Sequence, residues 1–216
     1  MVRVKTSDLA RRLAAVPNAL PQAVRDEIAV SVRRLTKVRS VADAKRVVAK
    51  EAERLFVAVI PALAAKPLPL SGWKARVAAG TTGGAAAAVE QAEEIAAVFS
   101  WGGALPAAPV VAGAVFTSWV LELWIAVSAR VNQVKAAGRQ VDTDVLSREL
   151  AGAVIGDFAA ARKNALPKVM RAVGRKVVAR WAAGLVPGVG IVFDGYIAQR
   201  IVRAILRQPV TAYPPA

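Results

Sequence analysis

Residues 181–196 read Trp181-Ala-Ala-Gly-Leu-Val-Pro-Gly-Val-Gly-Ile-Val-Phe-Asp-Gly-Tyr196, an apolar, glycine-rich stretch that joins two amphipathic patterns. In both patterns apolar residues recur at steps of three and four, as they do along one face of a helix. They are Val169, Met170, Val173, Val177 and Trp181 before the corner, and Phe193, Ile197, Ile201 and Ile205 after it. The stretch therefore predicts two helices that meet at a sharp corner.

Proline and glycine shape this corner. Pro187 has no N–H to donate, so it should end or sharply bend the first helix. Glycines have no side chain and let two backbones approach closely; they stand at Gly184, Gly188, Gly190 and Gly195. No polar residue lies between Trp181 and Phe193. We therefore expect the corner to be buried in protein or placed in lipid.

The corner also carries a resemblance to a known family. A basic helix, then Leu-Val-Pro-x-x-Gly at 185–190, then a helix with arginine-rich turns resembles the C-terminal half of the EcsC family of bacterial proteins. The upstream features are similar in order: an Ala- and Gly-rich helix at 80–98, a long apolar helix at 105–131, and a polar link into Asp142-Thr-Asp. The resemblance covers about residues 70–207 and implies an all-helical, membrane-associated protein without naming an activity.

The charge of the chain is unevenly distributed. Its 216 residues carry a formal net charge of +15 at pH 7, although 56% of them are hydrophobic and the mean hydropathy is +0.42. Residues 1–55 contain 13 Lys and Arg against 6 Asp and Glu, residues 56–130 contain 4 against 4, and residues 131–216 contain 13 against 5. A neutral apolar middle between two basic ends suits an anionic surface, either lipid head groups or nucleic acid.

One predicted helix has a basic, acid-free face. Between Phe158 and Phe193 there are seven Lys and Arg residues and no Asp or Glu. Such a face with an apolar stripe behind it is typical of a helix lying on anionic lipid, although a plain solvated face and a nucleic-acid interface stay open. A second basic amphipathic pattern lies at 21–37. We predict lipid or anion binding at Lys168, Arg171, Arg175, Lys176 and Arg180, and at Arg33, Arg34 and Lys37.

Residues 104–129 form the longest apolar run and contain one charged residue, Glu122. The run is long enough for the roughly 20 residues that a membrane span needs. Pro106 and Pro109 shorten the reliable helix, and a helix packed inside a bundle satisfies the same hydropathy. Both interpretations stay open, with the buried core helix favoured. We expect Glu122 to be a buried polar residue that pairs with Arg130 or a backbone group.

The residues that usually carry catalysis and metal binding are missing. The chain has no Cys and no His, which removes thiol chemistry, imidazole bases and the usual zinc ligands. Glu90, Glu93 and Glu94 share a helix face, but di-metal bundles require a Glu-x-x-His motif. Asp194 falls on an apolar face, where we expect it to be buried and hydrogen-bonded or paired with an arginine. The sequence predicts a protein that is not an enzyme and that needs no metal or cofactor.

Proline and charge divide the chain into three predicted segments. Pro67 and Pro69 form the one plausible internal boundary. The segments are a basic N-terminal helical arm at 1–66, an EcsC-like helical core at 67–207 and a loose C-terminal tail at 208–216. The N-terminus lacks the apolar segment of a secretory signal, so we expect a cytoplasmic protein at the inner face of the cell membrane.

Helical periodicity recurs along the chain, and no alternating strand pattern interrupts it. Ser40 and Asp43 form a capping box that opens a helix at 41–64. We predict an all-α, compact multi-helix bundle with a buried or membrane-inserted apolar hairpin formed by residues 106–131 and 166–207. The leading function is docking to an anionic membrane surface. The alternatives are a structural or assembly protein that forms homo-oligomers or binds a protein partner, and, third, non-specific nucleic-acid binding.

Overall fold

The structure is a computed structural model that describes the backbone of residues 20–36, 38, 40–70, 74–76, 78, 104–184 and 190–216. Within its helices, the side chains at 41, 104–115, 180–184 and 190–197 lie outside this description. In the described residues every regular element is helical, apart from one isolated bridge between Arg139 and Pro215. The predicted all-α fold is confirmed.

Seven α-helices and one 3₁₀ turn make up the described part of the chain. The Ala- and Gly-rich segment at 80–98, with Glu90, Glu93 and Glu94, lies outside it. In chain order the elements are α1 (Gln22–Leu35), α2 (Val41–Ala65), α3 (Ala104–Ala136), α4 (Thr143–Ile155), α5 (Phe158–Lys163), α6 (Leu166–Gly184), α7 (Gly190–Leu206) and the 3₁₀ turn (Val210–Ala212).

Side-chain caps fix where several of these helices begin. The Oγ of Ser40 accepts the N–H of Asp43 at 3.1 Å, which is the N-cap half of the predicted capping box, and the carboxylate of Asp43 binds Arg46. Asp142 caps α4 and Asp157 caps α5 in the same manner. Between them Gly156 has a φ of 80°, a left-handed conformation that glycine adopts without strain, and it ends α4. These local signals separate α4 from α5.

Helix α3 lies at the centre of the bundle. From Trp119 to Val131 every residue is buried, because a helix that is apolar on all sides must be surrounded. Its main neighbours are α1, α2, α4 and α7. Among the described residues no helix is long and apolar enough to cross a membrane.

The predicted hairpin of residues 106–131 with 166–207 is not confirmed. Helix α7 packs against α3 and α4, but α6 packs mainly against α2 and α4. The described residues of the two apolar stripes are buried. Their partners differ because periodicity gives the direction of a face and not the helix that covers it.

The linker at 67–70 does not separate two packing units. Helices α1 and α2 share one hydrophobic core with α3, α4, α6 and α7. The linker itself is bound to α3: the N–H of Leu68 donates to Ser128 Oγ at 2.9 Å, and Asn132 Nδ2 donates to the Leu68 carbonyl at 2.8 Å. The described part of the predicted N-terminal arm is therefore part of the core.

The segment 208–216, predicted to be loose, is packed on the bundle. Tyr213 is 1% exposed, and its hydroxyl donates to Glu149 Oε2 at 2.8 Å. The N–H of Gln140 donates to the carbonyl of Pro214 at 3.0 Å. Prolines lack a donor but keep their carbonyl as an acceptor, so a proline-rich segment can still be bound through its backbone.

Gly174 lets α6 cross α2 closely. A Cβ at this position would lie 2.7 Å from the carbonyl oxygen of Ala49 and 2.8 Å from Oε1 of Glu53. We expect Gly174→Ala to lower the free energy of unfolding by about 1–2 kcal/mol, because overpacking costs more than the ~1 kcal/mol that alanine gains in helix propensity. Urea denaturation of both proteins measures the change. A more stable variant would contradict the close crossing, since helix propensity alone predicts that sign.

Candidate functional site

The exposed face of α6 is basic. Lys168, Arg171, Arg175 and Lys176, all predicted to bind anions, are exposed. At about 100° per residue, the first three fall within about 60° of one another and Lys176 borders them. The structure thus brings four of the predicted cations onto one helix face. The side chain of Arg180 lies outside the described residues.

Helix α5 adds two exposed cations to those of α6. Arg162 and Lys163, in the last turn of α5, are exposed. Arg148 of α4 fixes the junction with α6, because its Nη1 donates to the carbonyls of Ala161 and Asn164, both at 3.2 Å. We call the exposed cations of the two helices the α5–α6 basic surface: Arg162, Lys163, Lys168, Arg171, Arg175 and Lys176.

The charge of the α5–α6 basic surface is not neutralised within the described part of the chain. None of the ion pairs found there includes a residue of this surface. Glu53 of α2 lies against Gly174 at the helix crossing, and it too takes part in none of those ion pairs. Among the described residues, the four exposed cations of α6 therefore have no carboxylate partner.

The apolar stripe of α6 faces the core. Its residues are between 0% and 5% exposed: Val169, Met170, Val173 and Val177. Among the described residues, the exposed large apolar side chains are Val30 at 37% and Val57 at 48%, and neither lies on α6. The helix consequently presents charge to its surroundings, and the described residues of its apolar stripe pack against α2 and α4.

The second predicted cluster, on α1, is only partly free. Arg33 is exposed. Arg34 was predicted to bind an external anion, but its Nη1 lies 2.7 Å from Oε1 of Glu51 and its charge is balanced within the fold. The sequence signal for this pair is weak because the two residues lie 17 positions apart. Lys37 lies outside the described residues.

Glu51 is the centre of a buried polar cluster between α1 and α2. It is 3% exposed and accepts hydrogen bonds from Ser31 at 2.9 Å, from Arg34 at 2.7 Å and from Arg54 at 2.9 Å. Arg54 also binds Glu27. Burial by itself raises the pKa of Glu51, but the hydrogen bonds from Arg34, Arg54 and Ser31 outweigh it and lower that pKa below its usual value.

Glu122 is 3% exposed, as predicted. Of its two expected partners, Arg130 binds Glu149 of α4 instead, and the alternative of a backbone partner stays a prediction. Eight residues of helix separate Glu122 from Arg130 by about 12 Å along the axis, whereas Glu149 reaches Arg130 from a neighbouring helix. The ring of Tyr213 covers the guanidinium, with its centroid 5.2 Å from Cζ.

Arg130 is 0% exposed, and all five of its N–H groups are satisfied. Two go to the carboxylate of Glu149 at 2.7 and 2.8 Å, one to Oε1 of Gln133 at 2.8 Å, and two to the carbonyls of Gln208 and Pro209 at 2.9 and 3.0 Å. This arrangement explains how a charge tolerates full burial. It joins α3, α4 and the C-terminal segment, and has a structural role.

The helix-packing corner is described only at its ends. Gly184 is the last residue of α6 and Gly190 the first of α7, and Gly195 lies within α7. Pro187 and Gly188 lie outside the described residues, as does the side chain of Asp194. Their predicted roles stay predictions.

Comparisons with known proteins add no assignment. No family model, no curated protein and no solved structure matches the chain. Within the described residues no group of carboxylates is arranged to hold a metal ion. The α5–α6 basic surface is therefore the arrangement from which a function is best argued.

Proposed function

We propose that the protein docks on an anionic membrane surface through the α5–α6 basic surface, and that α6 remains packed in the bundle while it does so. The observation that carries the proposal is the set of exposed cations on α6 without a described carboxylate partner. The proposed function is not enzymatic, and it locates the protein at the cytoplasmic face of the cell membrane.

The composition of the face favours lipid over a specific nucleic-acid site. Between its cations the outward side of α6 carries the exposed Pro167 and Ala179, with half-buried Ala172. Stacking on unpaired bases uses aromatic side chains beside the cations. The described side chains of this face include no aromatic residue. A surface of charge and small apolar residues instead suits a plane of anionic head groups, whose spacing adapts to the cations.

The size of the effect follows from the number of cations. Each Lys or Arg near an anionic membrane contributes about 1 kcal/mol, so the four cations of α6 should contribute about 4 kcal/mol. Because the apolar stripe of α6 is buried, this binding should be electrostatic and readily reversed by salt, which shortens the screening length to about 10 Å at 0.1 M and further above it.

Co-flotation with vesicles tests the proposal. We expect binding to vesicles that contain phosphatidylglycerol and little binding to phosphatidylcholine alone. Replacing Lys168, Arg171, Arg175 and Lys176 together with glutamine should weaken binding roughly 1,000-fold, the equivalent of about 4 kcal/mol. High salt should release the unmodified protein.

A matched control changes four other exposed cations to glutamine: Lys45, Lys50, Arg200 and Arg203. It has the same net charge as the α6 variant, so it separates the position of the charges from their number. Equal loss in both variants would mean that only net charge matters and would overturn the assigned surface. Equal binding to both vesicle types would overturn docking to anionic lipid, and tighter, salt-dependent binding to DNA would favour the nucleic-acid alternative.

The resemblance to the EcsC family supports the same proposal, since that family is membrane-associated. It stays a proposal for this chain, as does assembly into homo-oligomers. A discrete oligomer in solution, together with failure to bind either vesicle type, would favour the structural or assembly function.

A further inference from the structure

A cavity of about 190 Å³ lies where α2, α4 and α6 meet. Its wall is apolar on the sides formed by α2 and α6. The residues are Phe56, Val57 and Pro61 of α2, and Leu166 and Met170 of α6. An engineered apolar cavity of roughly 150 Å³ holds a benzene molecule, so this space admits a small apolar group.

The α4 side of the cavity carries two opposite charges that do not pair with each other. Asp144 and Arg148 both line it. They lie four residues apart, a spacing at which an acid and a base on a helix usually interact. Within the described part of the chain they form no ion pair. The reason is that Arg148 is turned toward the carbonyls of Ala161 and Asn164.

This anchoring leaves one edge of the guanidinium free. Only Nη1 of Arg148 has partners among the described residues, so Nε and Nη2 keep their N–H groups available. Those two groups form the edge that binds a carboxylate with two hydrogen bonds. The carboxylate of Asp144 likewise accepts no hydrogen bond and forms no ion pair within the described residues.

Ser147 also lines the cavity and offers a further acceptor. Ser147 Oγ donates to the carbonyl of Thr143 at 2.7 Å and keeps its own lone pairs free. A donor group such as an ammonium therefore finds a carboxylate and a hydroxyl oxygen among the side chains that line this cavity.

We propose that the cavity binds the zwitterion of a small α-amino acid with an apolar side chain. Its ammonium group lies on Asp144, its carboxylate on the free edge of Arg148, and its side chain on the apolar wall. The ligand pairs with both charges of the cavity. Because its own net charge is zero, the net charge of +15 of the chain does not repel it. This inference is independent of membrane docking.

The probe is L-leucine, titrated into the whole protein and followed by amide chemical shifts in NMR. For a ligand of about nine non-hydrogen atoms we expect a Kd on the order of 1–10 mM. Isoamylamine lacks the carboxylate and 4-methylpentanoate lacks the ammonium, so each should bind about 10-fold more weakly, the equivalent of losing one ion pair. Equal affinity for all three compounds, or no shift of the amides at 143–148, would overturn the proposal.

Two variants locate the site. Asp144→Asn should weaken L-leucine binding about 10-fold, whereas Asp26→Asn, a change at an exposed acid on α1, should leave it unchanged. Val57→Trp, at a half-exposed position on the rim, should block binding by filling the space. Unchanged affinity in Asp144→Asn, or binding that survives Val57→Trp, would place the ligand elsewhere. None of these variants alters the α5–α6 basic surface, so vesicle binding should persist and the two proposals fail separately.

Discussion

Replacing Arg130 with methionine is expected to lower the free energy of unfolding by about 3–5 kcal/mol, the usual cost of removing one partner of a buried ion pair. The free energy of unfolding falls because the groups that Arg130 binds stay in place without their donor. Glu149 would keep a largely buried charge with only the hydroxyl of Tyr213 as a donor, and the carbonyls of Gln208 and Pro209 would lose their partners. Chemical denaturation at neutral pH measures the difference.

Two controls separate the charge pair from general damage to the core. The double variant Arg130→Met with Glu149→Leu should recover the part of the loss that comes from the unpaired carboxylate, because apolar residues can replace a buried pair at little cost, while the carbonyls of Gln208 and Pro209 stay without their partner. Arg207→Met, at an exposed position close to the same segment, should change stability by no more than about 0.5 kcal/mol. A single variant Arg130→Met as stable as the original protein would show that the pair is not buried in solution.

Replacing Glu51 with glutamine is expected to cost about 2–3 kcal/mol at pH 7, since the carboxylate accepts charge-assisted hydrogen bonds from two arginines. This expected loss of stability is smaller than that for Arg130→Met. The side chains of Arg34 and Arg54 are 52% and 29% exposed, so water can hydrate them when the carboxylate is gone. Arg54 also keeps Glu27 as a partner.

The stability that Glu51 contributes should decrease as the pH falls. The pKa of Glu51 is lowered in the folded protein, so the folded state binds this proton less tightly than the unfolded state does. Its contribution is therefore fully present above the unfolded pKa of about 4.3 and is lost as the pH falls through the folded value. Denaturation curves should show that the difference in free energy of unfolding between the original protein and Glu51→Gln becomes smaller below about pH 4. A difference that stays constant down to acid pH would contradict the assigned role of the carboxylate.

Sequence patterns predicted the features of this fold that depend on neighbouring residues. The N-cap at Ser40 forms, the apolar run from Trp119 onward is buried, and the four described cations of α6 are exposed. Each of these depends on a helical period or a cap within a few residues. Such signals are local, and the helix itself enforces them.

The polar clusters could not be predicted in the same way, because their partners are distant in the chain. Arg130 and Glu149 lie 19 positions apart, and Arg130 and Pro209 lie 79 apart. Helix periodicity says nothing about which carboxylate meets which guanidinium. One weak signal was present: Tyr213 is the single aromatic residue in a segment of prolines and small residues, which is unusual for a free tail.

The enclosure of α3 has a consequence for how the chain folds. Its sides are covered by α1 and α2, which precede it in the chain, and by α4 and α7, which follow it. Contacts between such distant segments slow folding, because a long loop must close before they form. During synthesis α3 is made well before α7, so one apolar side stays uncovered in the interval. The growing chain is then most prone to associate with other chains, and that risk ends only when α7 is in place.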